Sequence, residues 1–170
     1  MNAIPASALV VARPVILGLT VLNLLYAASI AILLGASFFL EGWPWKQLGF
    51  DLATMHPLAP GGLRAIMAVG LAAAATVHTI LRNLQAIVDS VRGGDSFVLR
   101  NAQRLNAIAW GVLAIELLRL AVMAIASALS LPGNMGGYSP APWLAVLLLF
   151  VLSGVFAQGA RMRTDLEGTV

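Results

Sequence analysis

Apolar residues run almost unbroken through four stretches, Pro14 to Phe39, Leu63 to Leu81, Ala107 to Leu131, and Trp143 to Ala157 or a little beyond. A helix rising about 1.5 Å per residue needs roughly 20 apolar residues to cross about 30 Å of hydrocarbon. None of the stretches alternates apolar and polar positions as a lipid-facing barrel strand must. Helices also satisfy their own backbone hydrogen bonds in lipid. The pattern therefore predicts an all-α integral membrane protein with four transmembrane helices.

Past the second run the periodicity changes instead of ending. Leu81, Leu84, Ile87 or Val88, and Val91 keep a three-or-four spacing, while Arg82, Asn83, Gln85, Asp89 and Arg92 fill positions between them. That spacing predicts an amphipathic extension of helix two. Gly93 and Gly94 supply a stop, Asp95 or Ser96 an N-cap, and the next helix is expected to begin near Phe97. Arg100 and Arg104 lie one turn apart on it. A helical hairpin between helices two and three is the expected result.

Composition agrees with the membrane class. The chain is 60% apolar and 10% charged, against about 25% charged in soluble domains. Little chain remains outside the four runs, so residues 1–170 are expected to form a single four-helix bundle domain. The absence of cysteine excludes disulfides, thiolate catalysis and cysteine metal sites. The first run exceeds the roughly 7 to 15 residues of a secretory signal core. With Arg13 at its start, it reads as an uncleaved helix.

The basic residues orient the bundle. Seven arginines (Arg13, Arg82, Arg92, Arg100, Arg104, Arg161 and Arg163) fall on one side, against Lys46 and Arg64 on the other. Under the positive-inside rule both termini and the hairpin are cytoplasmic, the topology of a multi-pass bacterial inner-membrane protein. The segments Glu41 to Gly62 and Pro132 to Pro142 then face outward. Trp43 and Trp45 read as interfacial anchors, since indole rings favour the headgroup level. Ala27, Ala31 and Gly35 on helix one, with Gly70 and Ala74 on helix two, have the four-residue spacing of a close helix contact.

Charged residues inside a span usually turn inward and find partners. Glu116 and Arg119, three apart in the third run, can meet on one helix face. Counted by depth, Asn23, Glu116 and Ser153 fall near the midplane and His78 somewhat nearer the cytoplasm, so each helix contributes a polar group. Asn23 or His78 is placed to satisfy the remaining donors and acceptors of the pair. Three readings stay open for this cluster, a structural knot that fixes helix rotation, a ligand-sensing or proton-sensitive site, and part of a transport pathway built by several copies. No metal site is expected, because His56, the other histidine, lies in the opposite outer segment. The sequence carries no GxSxG elbow, HExxH or phosphate loop, and the expectation is a non-enzymatic protein without cofactors.

Two stretches carry a family resemblance, GDSFVLRNAQRLNAIAW at Gly94 to Trp110 and VFAQGARMRTDLEGTV at Val155 to Val170. They resemble the bacterial membrane proteins of the domain of unknown function 2975 family, which show a Gly-Asp-Pro-Phe turn, then Asn and Arg-Leu, and a charged tail closing on Thr-Val. Gly94, Asp95, Phe97, Asn101, Arg104 and Leu105 match the turn, and Gly159, Thr169 and Val170 match the tail. Ser96 stands where the family has proline. The family has no established activity. The resemblance implies a membrane partner of a small cytoplasmic helix-turn-helix regulator, since members are often encoded beside one.

The preferred function is accordingly a sensor or regulator that binds a small cytoplasmic partner. Its surface is Arg92, Asp95, Phe97, Arg100, Asn101 and Arg104, joined by Arg161 and Arg163 of the tail, and the same arginines are equally suited to lipid headgroups. No recognition helix or basic stripe is suited to direct nucleic-acid contact. The alternative is a small transporter or channel-like protein, which would have to be a homo-oligomer to enclose a pore.

Overall fold

The computed structural model describes the backbone of residues 6–40, 45, 49, 57–93, 98–131 and 139–167, and the side chains of these residues except 6–10 and 163–167. It comprises helices α1 (Ala6–Phe39), α2 (Ala59–Arg92), α3 (Leu99–Ala128) and α4 (Ala141–Glu167). No strand occurs among the described residues. All four helices are long and apolar enough to cross a membrane.

Their limits overrun the apolar stretches. α1 starts eight residues before Pro14 and passes through it. α2 begins at Ala59, with a proline in its first turn, where the missing N–H would be unpaired in any case. α2 ends at Arg92 as the amphipathic spacing predicts, and α3 begins at Leu99, two residues after the expected start. α4 continues past Ala157 to Glu167, which puts the charged tail on a helix.

The packing order corrects the expected bundle. Among the described residues, α1 touches only α2, α2 touches α1 and α3, and α4 touches only α3. The helices form an open row in chain order, with α1 and α4 at its two edges. Helices consecutive in the chain are the usual spatial neighbours, and helices apolar enough to cross a membrane need no closed bundle there, because lipid tails can cover an apolar helix face as well as another helix does.

The α1–α2 seam follows a seven-residue repeat. Ile16, Asn23, Ile30 and Ser37 on α1 face Met67, Ala74, Leu81 and Val88 on α2. A seven-residue repeat keeps one stripe of each helix on its partner and gives the shallow crossing of a left-handed pair. Leu17, Leu22, Leu25 and Ile32 lie on the rest of α1 and are exposed, as a lipid-facing surface requires.

Small residues act elsewhere than the spacing suggests. Gly35 faces open space and Ala31 is exposed, so the Ala27, Ala31, Gly35 row is not the close contact of α1. Gly70 does lie against α1, where a Cβ would stand 3.3 Å from the Tyr26 hydroxyl. The tightest approach is on the α2–α3 seam. A Cβ on Gly111 would lie 2.7 Å from Ile80 Cγ1, and one on Gly62 would overlap the end of Leu129.

At the end opposite the arginines, Trp45 is 3% exposed and packs with Ala59, Leu63, Met67, Ala126 and Leu131. It is a core residue of that end and not the surface anchor its composition suggests. Ser130 takes φ 49°, which turns the chain so that the Leu131 N–H bonds the Ala126 carbonyl at 2.9 Å and closes α3. Trp43, Lys46, His56, Gly94, Asp95, Ser96 and Phe97 lie outside the described residues.

Candidate sites in the span and at the arginine-rich end

Glu116 and Arg119 meet as their spacing predicts. Arg119 Nε donates to Glu116 Oε2 at 3.0 Å, with the Glu116 side chain 8% exposed and that of Arg119 31%. Arg119 Nη1 lies 3.6 Å from Met123 Sδ, and its buried Nη2 has no hydrogen-bond partner. A charge in a medium poor in water is stabilised by its counter-ion and by few other contacts, so each partner depends on the other.

Among the described residues no other polar side chain of the apolar stretches hydrogen-bonds to this pair. Asn23 Nδ2 donates to the Ala74 carbonyl at 3.0 Å, so Asn23 serves the α1–α2 seam. His78 opens onto a cleft lined by Thr79, Arg82, Asn83 and Ala86, all of α2, and its buried Nδ1 has no partner. Ser153 is half-buried three residues beyond Phe150, whose ring meets Trp110 edge-on at 5.3 Å. Trp110 precedes Glu116 by six residues, about 9 Å along the axis, and Ser153 lies farther still toward the arginine-rich end. Asn23 and Ser153 do not share one cluster, because α1 and α4 are not in contact in the row.

The arginine-rich end is more highly organised. Asn101, 2% exposed, stands at the base of the α2–α3 hairpin. Its Nδ2 donates to Ser90 Oγ at 3.0 Å, and its Oδ1 accepts from Arg104 Nη1 at 3.0 Å. Arg104 Nη1 also reaches the Ala86 carbonyl at 2.9 Å. The last turns of α2 and the first turn of α3 are thus joined through one amide. A buried amide with its donors and acceptors engaged holds a single geometry, since any shift leaves a polar group unpaired. Arg13 approaches Asp89 at 3.8 Å with both side chains about half exposed, a weak link between α1 and α2.

Arg92, Leu99, Arg100 and Arg161 are exposed around this base. Arg163 lies on the last turns of α4, with its side chain outside the described part.

Sequence reasoning missed two contacts. Arg64, counted only as an outward charge, lies on α2, donates from Nε to Ser37 Oγ at 3.2 Å and from Nη2 to the Ser37 carbonyl, and stacks 4.5 Å over the Phe38 ring. It clips the end of α1 to the start of α2, and a cation beside a helix C-terminus is favourable. Ser90 was the other omission. Its place opposite Asn101 depends on the register of two helices, for which a single sequence carries no signal.

Comparison with family models matches residues 47–170 to the family described as protein of unknown function (DUF2975). The matched part contains α2, α3 and α4. No curated protein and no solved structure matches the chain.

Proposed function

The chain belongs to the DUF2975 family of proteins of unknown function, and from that premise we propose that it is a non-enzymatic, multi-pass protein of the bacterial inner membrane that binds a small soluble partner and regulates it. Both termini and the α2–α3 hairpin are cytoplasmic in this reading, since seven arginines lie at that end. The partner class that the family resemblance suggests is a small helix-turn-helix regulator.

The observation that carries the reading is the buried Asn101 at the hairpin base. It presets the hairpin, so a partner meets a surface whose ordering cost is already met. On that surface Leu99 is 50% exposed and is flanked by Arg92 and Arg100, which make no ion pair among the described residues. An exposed apolar side chain at the same end of the molecule as exposed arginines fits an acidic partner surface with an apolar centre. Arg161 and Met162 of α4 are exposed at the same end of the molecule and extend it.

The test is recovery of a soluble protein with the full chain from native membranes. Leu99→Ser together with Arg100→Ala is expected to lose that protein at equal membrane level, while Asn101 and Arg104 keep the hairpin folded. Unchanged recovery with the double variant, or no specific protein with the wild type, sinks the reading. The transporter alternative requires several copies, because the helices of one copy do not close around a pore. Solute flux in vesicles carrying the purified chain would favour it.

A further inference from the structure

Three clefts follow one another along α2 and share residues where they meet; the first and third are bordered by the α3 side as well, and the middle one is lined by α2 alone. The first, about 590 Å³, lies at the hairpin base and is lined by Asp89, Ser90, Arg100, Arg104 and Ala86 among others. Ala86 also borders the second, about 300 Å³, which adds His78, Thr79, Arg82 and Asn83. Thr79 in turn borders the third, about 320 Å³, formed by Ala75, Thr76, Ile80, Ala107 and Gly111. Small residues, Ala75, Ala107 and Gly111, line much of the third part of this groove.

The lining changes character with depth. Three arginines serve the first two clefts and none serves the third. Thr76 and Thr79 donate to the carbonyls of Ala72 and Ala75 at 2.9 and 3.1 Å. Each hydroxyl proton is engaged on its own helix, and the groove wall there needs no polar ligand. At the other end Arg104 lines the first cleft and, among the described residues, is held by Ala86 and Asn101 through Nη1. Asp89, the one carboxylate in the lining, is offset by Arg13.

Depth within the span selects the ligand. Arg104 precedes the third apolar run, which starts at Ala107, by three residues, about 4.5 Å of helix rise. Arg82 directly follows Leu81, where the second run ends. Both then stand in the headgroup layer, roughly 5 to 7 Å thick on each side of the hydrocarbon. A ligand with an anionic group at that depth and an apolar tail running inward matches the groove along its length.

We infer that this groove, which runs along α2 and is bordered by α3 at its two ends, is a binding site for one anionic diacyl phospholipid of the cytoplasmic leaflet. Arg82 and Arg104 hold its phosphate, and one acyl chain lies along Thr79, Ala75, Ala107 and Gly111. The inference rests on the membrane placement proposed above; it shares Arg100 with the proposed partner surface, so its test leaves Arg100 unchanged. The hairpin tip, Arg92 and Leu99, remains outside the groove.

Native mass spectrometry of the full chain, purified in detergent and offered phosphatidylglycerol, phosphatidylcholine or inorganic phosphate, tests it. Phosphatidylglycerol is expected to be retained at one per chain and phosphatidylcholine much less. Arg82→Gln should lower retention roughly tenfold, the worth of about one charge-assisted contact. Thr79→Trp fills the groove where two clefts meet and should abolish retention. Leu147→Trp, at an exposed apolar position of α4, should leave it unchanged. Equal retention of the zwitterionic lipid, or retention indifferent to Thr79→Trp, overturns the site. Competition by inorganic phosphate as effective as by lipid also overturns it, because the acyl groove would then play no part. Failure of partner recovery leaves these readouts untouched, and an error in membrane placement shows in reporter fusions.

Discussion

Glu116 and Arg119 bring the cost of a charge in the span down to one hydrogen-bonded pair. Removing either partner leaves the other unpaired, a loss of about 3 to 5 kcal/mol for buried pairs in soluble proteins and less where lipid or detergent water can reach the site. Glu116→Leu and Arg119→Leu are each expected to lower thermal stability in detergent, while the double variant recovers most of the loss. A double variant as unstable as the sum of the singles would show that the two side chains act separately. A stable double variant that has lost partner recovery would make the pair functional and not merely structural. The pairing was legible in the sequence, because a three-residue separation on a helix dictates proximity whatever surrounds it. The placement of Asn23 was not legible, since its acceptor lies on another helix, at Ala74.

At the scale of elements, the seams depend on where small residues face one another. Gly111→Val would drive a branched side chain into Ile80 and should cost about 1 to 3 kcal/mol, the usual penalty of overpacking. Gly35→Ala meets open space and should be neutral or stabilising by up to about 1 kcal/mol, since alanine is the better helix former. Thermal unfolding of both variants followed by circular dichroism decides the matter. Equal stability of Gly111→Val and wild type would mean that the α2–α3 seam is looser than Gly111 and Ile80 make it. Spacing in the sequence favoured Gly35 and passed over Gly111. An alanine-rich helix offers four-residue repeats on every face, and only packing selects one of them.

For the whole molecule, the asymmetry of arginines between the two ends makes a definite prediction. A periplasmic phosphatase fused after Val170 or inserted at Gly93 should be inactive, and one inserted at Gly49 should be active. The opposite pattern at any of the three sites would overturn the orientation, and with it the cytoplasmic hairpin and the lipid leaflet proposed for the groove. The open row also bears on assembly. Among the described residues α1 and α4 each have one helix neighbour, so their remaining apolar faces are free to meet lipid, if the helices span a bilayer as proposed, or further copies.

The sequence by itself determined the number of helices, their membrane-compatible length, the amphipathic run of α2 to Arg92 and the meeting of Glu116 with Arg119. Each of these follows from hydropathy or from helical spacing within a single segment. Tertiary structure alone decided that the row stays open, that Trp45 is buried, that Arg64 clips α1 to α2, and that Asn101 joins Ser90 to Arg104 at the hairpin base. These depend on the rotation and register of one helix against another. In an almost uniformly apolar chain many rotations hide the same amount of surface, so the choice falls to a few polar groups and glycines whose partners lie far away in sequence.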